Sequence, residues 1–179
     1  MTIPNFISLF RLMLVPMVIW AMVDGQYGYA LLAFFIAGVS DLLDGFLARI
    51  MKCQTDLGRY LDPLADKILL VAVFVTLGLQ GHLPAWLVIL VVFRDFIILL
   101  GALLVKLFDL AIEIKPLFIS KANTVMQLLM IGVILCQLML DQFYTTLNLF
   151  LIGLTALTTF LSGASYVKKW IKDANTTSL

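Results

Sequence analysis

Four aspartates, Asp41, Asp44, Asp62 and Asp66, interrupt the stretch from Ser40 to Lys67 in a chain that is 63% hydrophobic. If that stretch is two helix ends joined by a short polar turn, spacings of three and four residues put each pair on one helix face. Four carboxylates gathered in a low-dielectric setting repel one another, and no nearby cluster of bases looks sufficient to neutralise them. Divalent cations would. Oxygen-only ligation suits Mg²⁺, Mn²⁺ or Ca²⁺ rather than zinc, and carboxylates that hold Mg²⁺ commonly share it with substrate phosphates. Gly45, Ala48 and Gly58 remove side-chain bulk beside the carboxylates, so a ligand could lie close to the backbone, while Arg49 and Arg59 add positive charge. The competing interpretation is that the aspartates pair with Arg49, Arg59 and Lys67 only to hold helices together. A salt-bridge cluster of that kind has no need of the glycines and the alanine.

The elements that must position these residues are apolar. Mean hydropathy is +1.08 and only 13% of residues are charged, which excludes an ordinary water-soluble domain and implies an integral membrane protein. Six apolar segments can be read, at about 6–23, 27–50, 57–80, 84–106, 117–139 and 144–167. Each approaches or exceeds the roughly 20 residues that cross a bilayer core of about 30 Å. Turn residues separate them: Asp24-Gly25, Gly81 with Pro84, Lys115-Pro116, and Asp141-Gln142. The expected fold is therefore an all-α integral membrane protein, a bundle of six transmembrane helices forming one domain over residues 1–179, with neither an internal repeat nor a low-complexity linker.

Lysines and arginines orient this bundle. The turns near 24–28, 80–84 and 139–143 contain none, whereas the opposite ends carry Arg11, Arg49, Lys52, Arg59, Lys106, Lys115, Lys121, Lys168, Lys169 and Lys172. The positive-inside rule then places both termini and the aspartates on the cytoplasmic side. Asp41 lies nine residues before the end of its segment and Asp66 nine after the start of the next, a matching depth of about 13 Å at 1.5 Å per residue. A net charge of +1 offers no basic field for nucleic acid, so no nucleic-acid partner is expected. Cys53 and Cys136 fall on opposite sides in this topology and do not read as a disulfide or a metal site. Arg94 and Asp95 lie inside the fourth segment, where charge is costly unless paired or hydrated, and should face the bundle interior. Asn5 and Arg11 near the start read either as an interfacial anchor or as neighbours of the aspartate site. His82, on the far side, reads as an interfacial residue.

The spacing D-x2-D-G-x2-A-R-x8-G-x3-D-x3-D, met by Asp41, Asp44, Gly45, Ala48, Arg49, Gly58, Asp62 and Asp66 without departure, resembles the signature of the CDP-alcohol phosphotransferase family. The resemblance implies transfer of a substituted phosphoryl group from a CDP-linked donor to an acceptor alcohol, with release of CMP. It implies two divalent ions, Mg or Mn, held by Asp41, Asp44, Asp62 and Asp66, with Asp66 also the general base. Gly45, Ala48, Arg49, Gly58 and Asn5 would border the donor nucleotide. The blocks TDLGRYLDPLADKIL, RDFIILLGA and IKPLFISKANTVMQLL narrow the resemblance to the cardiolipin synthases of mitochondria and related bacteria. That implies CDP-diacylglycerol and phosphatidylglycerol as partners, alongside membrane lipids. Arg94 and Lys121 are then candidates for the acceptor phosphate, with ion pairing for Arg94 and interfacial snorkelling for Lys121 as alternatives. Phosphatidylglycerophosphate synthases share the aspartates and the PNFIS-x-x-R-like start, so glycerol 3-phosphate is the alternative acceptor. The family also implies a homodimer. The start of the chain, read as free of a transit peptide, leads to a bacterial inner membrane rather than a mitochondrial one as the expected location. A small membrane transporter is the reading of a different class, since intramembrane charges also mark solute pathways. It is disfavoured because the chain lacks corresponding interrupted segments in two halves.

Overall fold

The computed structural model describes the backbone of residues 3–51, 56–107 and 118–177, and the side chains of 9–40, 67–101 and 118–168. Six helices follow in order: α1 (Ile3–Val23), α2 (Tyr27–Met51), α3 (Asp56–Leu79), α4 (Ala85–Leu107), α5 (Phe118–Met139) and α6 (Thr145–Thr177). There is no strand among the described residues. The six apolar segments read from the sequence are these six helices. Their bounds differ most at the chain ends. α1 begins at Ile3, where Pro4 suits a first helical turn whose amides have no partner to lose. α6 runs to Thr177, ten residues past the expected 167, because no glycine or proline interrupts the lysine-bearing run that follows the apolar part. Among the described residues, Phe118–Met139 and Thr145–Lys168 are long and apolar enough to cross a membrane, and Leu9–Val23, Tyr27–Ser40 and Lys67–Leu79 are shorter apolar helices.

The chain divides into two compact units, residues 1–83 with 131–144, and residues 84–130 with 145–179. In the first, α1 packs on both α2 and α3. Ala30, Ala33 and Ala37 recur along one buried face of α2, where small side chains let helices approach closely. Val18 and Met22 of α1, and Leu70, Val73, Phe74 and Leu77 of α3, fill the core around them. The outer faces are as apolar as the core. Met13, Met17 and Trp20 on α1, and Leu32, Phe35 and Ile36 on α2, are all exposed, a pattern that water would not tolerate over so large a surface. In the second unit α4 packs on α6.

One end of the first unit collects the three turns that carry no lysine or arginine. α1, α3 and α5 all finish in the same motif, in which the two amides past the helix bond back to carbonyls of its last turn. These bonds are Gly25 N to Met22 O (3.2 Å) with Gln26 N to Ala21 O (2.8 Å), Gly81 N to Gly78 O (3.1 Å) with His82 N to Leu77 O (2.9 Å), and Asp141 N to Leu138 O (3.4 Å) with Gln142 N to Gln137 O (3.0 Å). The residue at the turn is left-handed in each case, with φ of 74° at Gly25, 80° at Gly81 and 50° at Asp141. Gln80 Nε2 donates to the Met22 carbonyl at 2.8 Å, tying the end of α3 to the end of α1. The His82 ring lies edge-on to Tyr27 (centroids 6.1 Å apart, 83° between planes) and stacks on Phe143 (6.2 Å, 19°), joining three chain segments. Partial burial in this aromatic setting lowers the His82 pKa from its ordinary 6.5.

Two outcomes follow from this end. A Cβ added at Gly81 would meet nothing within 4 Å, so Gly81→Ala should cost only the backbone strain of a left-handed residue, about 1 kcal/mol. Thermal denaturation in detergent should show a lower midpoint, and an unchanged one would remove the strain argument. At His82 the folded chain resists protonation that the unfolded chain accepts. Its contribution to stability is therefore intact above pH 6.5 and declines as the pH falls below 6.5 through the lowered value. The midpoint should drop less between pH 7.5 and 5.5 in His82→Phe than in the native chain; equal drops would show that His82 is not the titrating group.

Candidate functional site

The helical backbone of α2 runs unbroken through positions 41, 44, 45, 48 and 49, and that of α3 through 58, 62 and 66. The three-residue and four-residue spacings of the aspartate pairs are thus each contained in one continuous helix. The side chains of Asp41, Asp44, Gly45, Ala48, Arg49, Gly58, Asp62, Asp66 and Asn5 lie outside the described residues. Among the described residues no three metal-ligating side chains come together. The donor set itself still fits a hard divalent cation: four carboxylates, divided between two helices, with no thiol or imidazole among them. At the edge of this region the Ser40 hydroxyl donates to the Ile36 carbonyl at 2.7 Å, spending its hydrogen on its own helix. Arg11 on α1 has no exposed surface. An interfacial anchor keeps its charged head in water, so burial removes that alternative for Arg11, which is engaged within the protein.

The second unit has a buried polar centre of its own. Arg94 on α4 is 4% exposed and Asp95 7%. The Arg94 guanidinium donates through Nη1 to Asp95 Oδ1 at 2.5 Å, through Nη2 to Ser120 Oγ at 2.6 Å, and through Nε to Ser162 Oγ at 3.2 Å, with Nη2 also on Ser162. Three helices therefore meet on one cation. Gly163 of α6 lies alongside, where a Cβ would stand 3.7 Å from Arg94 Cγ, in ordinary van der Waals contact. An arginine cannot shed its proton when buried, so the adjacent carboxylate and the two hydroxyls are what make its position tolerable. The inward placement expected of Arg94 and Asp95 is found, and so is the mutual ion pair that stood as the alternative to phosphate binding for Arg94. Lys121, one residue past Ser120, is exposed.

A neutral seam continues this centre along α5 and α6. Asn123 is fully buried, and its Oδ1 accepts from Thr158 Oγ1 at 2.9 Å and Thr159 Oγ1 at 2.8 Å. Further along, Thr155 Oγ1 donates to Met130 Sδ at 3.5 Å. Gln127, between Asn123 and Met130, is also fully buried, and neither end of its amide has a hydrogen-bond partner; nor does Asn123 Nδ2. Each bare group of this kind costs about 1–3 kcal/mol of desolvation. Sequence reasoning assigned nothing to Gln127, Thr158, Thr159 or Ser162. The available signal was the recurrence of Ser120, Asn123 and Gln127 every three or four residues on α5, matched by Thr155, Thr159 and Ser162 on α6. In so apolar a chain, a polar stripe at helical spacing marks a helix–helix contact.

The CDP-alcohol phosphatidyltransferase family model matches residues 1–161, crossing all of the helices that carry these positions up to the middle of α6. The human cardiolipin synthase (CMP-forming) is 33% identical over 181 residues, covering 92% of this chain and 60% of its own. A probable cardiolipin synthase (CMP-forming) of Drosophila melanogaster is 37% identical over 186 residues, covering 93% and 57%. The chloroplastic CDP-diacylglycerol–glycerol-3-phosphate 3-phosphatidyltransferase 1 of Oryza sativa is 36% identical over 154 residues, covering 76% and 47%. The chain thus spans about half to three-fifths of the length of these relatives. With the signature aspartates on two unbroken helices and a family match over nine-tenths of its length, the chain belongs to the CDP-alcohol phosphatidyltransferase family.

Proposed function

We propose that the protein is a cardiolipin synthase of the CMP-forming type, an integral membrane enzyme that moves the phosphatidyl group of CDP-diacylglycerol onto a hydroxyl of phosphatidylglycerol and releases CMP. The observation that carries this reading is the eight-position aspartate signature on α2 and α3, supported by the cardiolipin synthases among the relatives. In the reaction the acceptor oxygen attacks the phosphorus that bears the diacylglycerol. The bond from that phosphorus to the oxygen bridging it to CMP breaks, and Asp66 takes the acceptor's proton. Gly45, Ala48 and Gly58 leave space for the cytidine nucleotide, and Arg49 and Asn5 offer donors to it. Two divalent cations, Mg²⁺ or Mn²⁺, held by Asp41, Asp44, Asp62 and Asp66, would neutralise the charge gathering on the pyrophosphate. The family is generally dependent on divalent metal, which agrees with a donor set of carboxylates alone.

Arg94 and Lys121 are proposed for the acceptor's phosphate. Two of the Arg94 partners are neutral hydroxyls, which a phosphate oxygen could replace while Asp95 stays in place. The same bonds favour a second reading, in which Arg94 serves only to bind α4, α5 and α6 together. The membrane assignment includes all six helices as spans, both termini and the aspartates on the cytoplasmic face of a bacterial inner membrane, one domain over residues 1–179, and a homodimer. The gathering of the three turns without lysine or arginine at one end of the first unit supports a common side for those turns; the single domain and the homodimer rest on the family resemblance alone. The rice relative is named for glycerol 3-phosphate, so that acceptor is the direct competitor. Offered CDP-diacylglycerol with either compound, the purified protein should make cardiolipin from phosphatidylglycerol. Product only with glycerol 3-phosphate would leave the family and remove the acceptor assignment.

Two substitutions test the roles. Asp66→Asn keeps the shape and removes the base, so turnover should fall by about 10²–10⁴ while CDP-diacylglycerol still binds; joint loss of binding would make Asp66 chiefly a metal ligand. Arg94→Lys replaces a fork by a point charge, and the KM for phosphatidylglycerol should rise about tenfold with donor binding retained. A lower melting temperature with unchanged KM would select the bundle-holding reading.

A further inference from the structure

On α5, Asn123 Nδ2 and both ends of the Gln127 amide have no hydrogen-bond partner. Asn123 and Gln127 stand one helical turn apart, on the same face of α5, with no exposed surface on either. The Asn123 amide is held from one side by Thr158 and Thr159. Reversing the amide would leave the Thr158 hydroxyl free to donate to the Leu154 carbonyl at 3.0 Å or that of Thr155 at 3.1 Å, but would take from Thr159 the Oδ1 acceptor it has here. In either orientation one polar atom of Asn123 is left over, a donor in the first case and an acceptor in the second. Gln127 is left with both. A helix that needed only to pack would place leucine or methionine here, as it does at Met130 and Leu135.

The vacant groups are neutral and combine donor with acceptor, which fits a ligand that is itself neutral and two-faced. A hydroxyl meets that description. An ammonium or carboxylate does not, since neither amide brings a charge to offset its desolvation. Resting on the acceptor reading above, we propose that Asn123 and Gln127 form a hydroxyl-reading subsite, which takes the non-reacting hydroxyl of the acceptor's glycerol group. Phosphatidylglycerol and glycerol 3-phosphate both carry that hydroxyl next to the one that reacts, so the subsite serves either acceptor. It would make the enzyme selective for a glycerol-type alcohol and against one with a lone hydroxyl or a charged amine.

The experiment uses the full chain in detergent with CDP-diacylglycerol and Mn²⁺. It compares phosphatidylglycerol with phosphatidyl-1,3-propanediol, which keeps the reacting primary hydroxyl and lacks its neighbour. The native enzyme should prefer phosphatidylglycerol by at least about tenfold in kcat/KM, because the headgroup that lacks the middle hydroxyl leaves the buried amides unpaired. Gln127→Leu and the near-isosteric Gln127→Met should bring that ratio to about one, chiefly by raising the KM for phosphatidylglycerol. Equal use of the two acceptors by the native enzyme would overturn the proposal without recourse to any variant, including one that failed to fold. A proportionate loss on both acceptors in the Gln127 variants would also overturn it, leaving the amides to ordered water only. Should the native enzyme use glycerol 3-phosphate alone, the cardiolipin reading fails separately, and the pair glycerol 3-phosphate and 3-hydroxypropyl phosphate puts the same question to the subsite.

Discussion

In a chain this apolar, a covered charge is very costly unless it finds its partners inside the protein, and the meeting of three helices in the second unit follows from that constraint. Arg94 states it most sharply. Its charge cannot be titrated away, so a carboxylate must accompany it and hydroxyls must take its remaining donors. Asp95 comes from the next position on α4, Ser120 from the start of α5 and Ser162 from α6. One guanidinium thereby specifies which faces of three helices turn inward. Leucine side chains could not do this, because apolar contacts are satisfied by many rotations of a helix whereas these hydrogen bonds are satisfied by few.

The first unit meets a related constraint with its backbone. Helix ends expose carbonyls with no partner in the next turn, and here three ends close on themselves through left-handed residues. What remains is covered by contact between turns, through Gln80 on the Met22 carbonyl and the His82 ring between Tyr27 and Phe143. Small residues on α2 then allow α1 close enough for the alanine-lined face to pack without polar help. The two units hence use different means, close apolar packing in one and a hydrogen-bonded seam in the other.

That division suits the proposed chemistry. A site built from four aspartates is costly to assemble without cations, so it contributes little stability of its own and depends on helices held by other contacts. A neutral seam of amides and hydroxyls has the opposite character. It can hold helices together and still accept a hydroxyl-bearing ligand without any change of charge. In that seam Asn123 Oδ1 is satisfied by Thr158 and Thr159, while Asn123 Nδ2 and both ends of the Gln127 amide remain bare.

The amino-acid sequence by itself determined the helices, their order and nearly all their ends, since hydrophobic runs about 20 residues long separated by Gly, Pro and Asp leave little choice. It also determined the family, because eight specified residues at fixed spacing rarely coincide, and the inward placement of Arg94 and Asp95, because charge in an apolar segment has few other options. It left Arg11 open between an interfacial anchor and a neighbour of the aspartate site, and burial removed the first. Nor could it say which hydroxyls meet Arg94, that Asn123 bonds Thr158 and Thr159, or that Gln127 has nothing to bond. Those pairings join residues 26 to 68 positions apart. They depend on how each helix is rotated about its axis, a quantity that local spacing limits and only the packing of neighbouring helices settles.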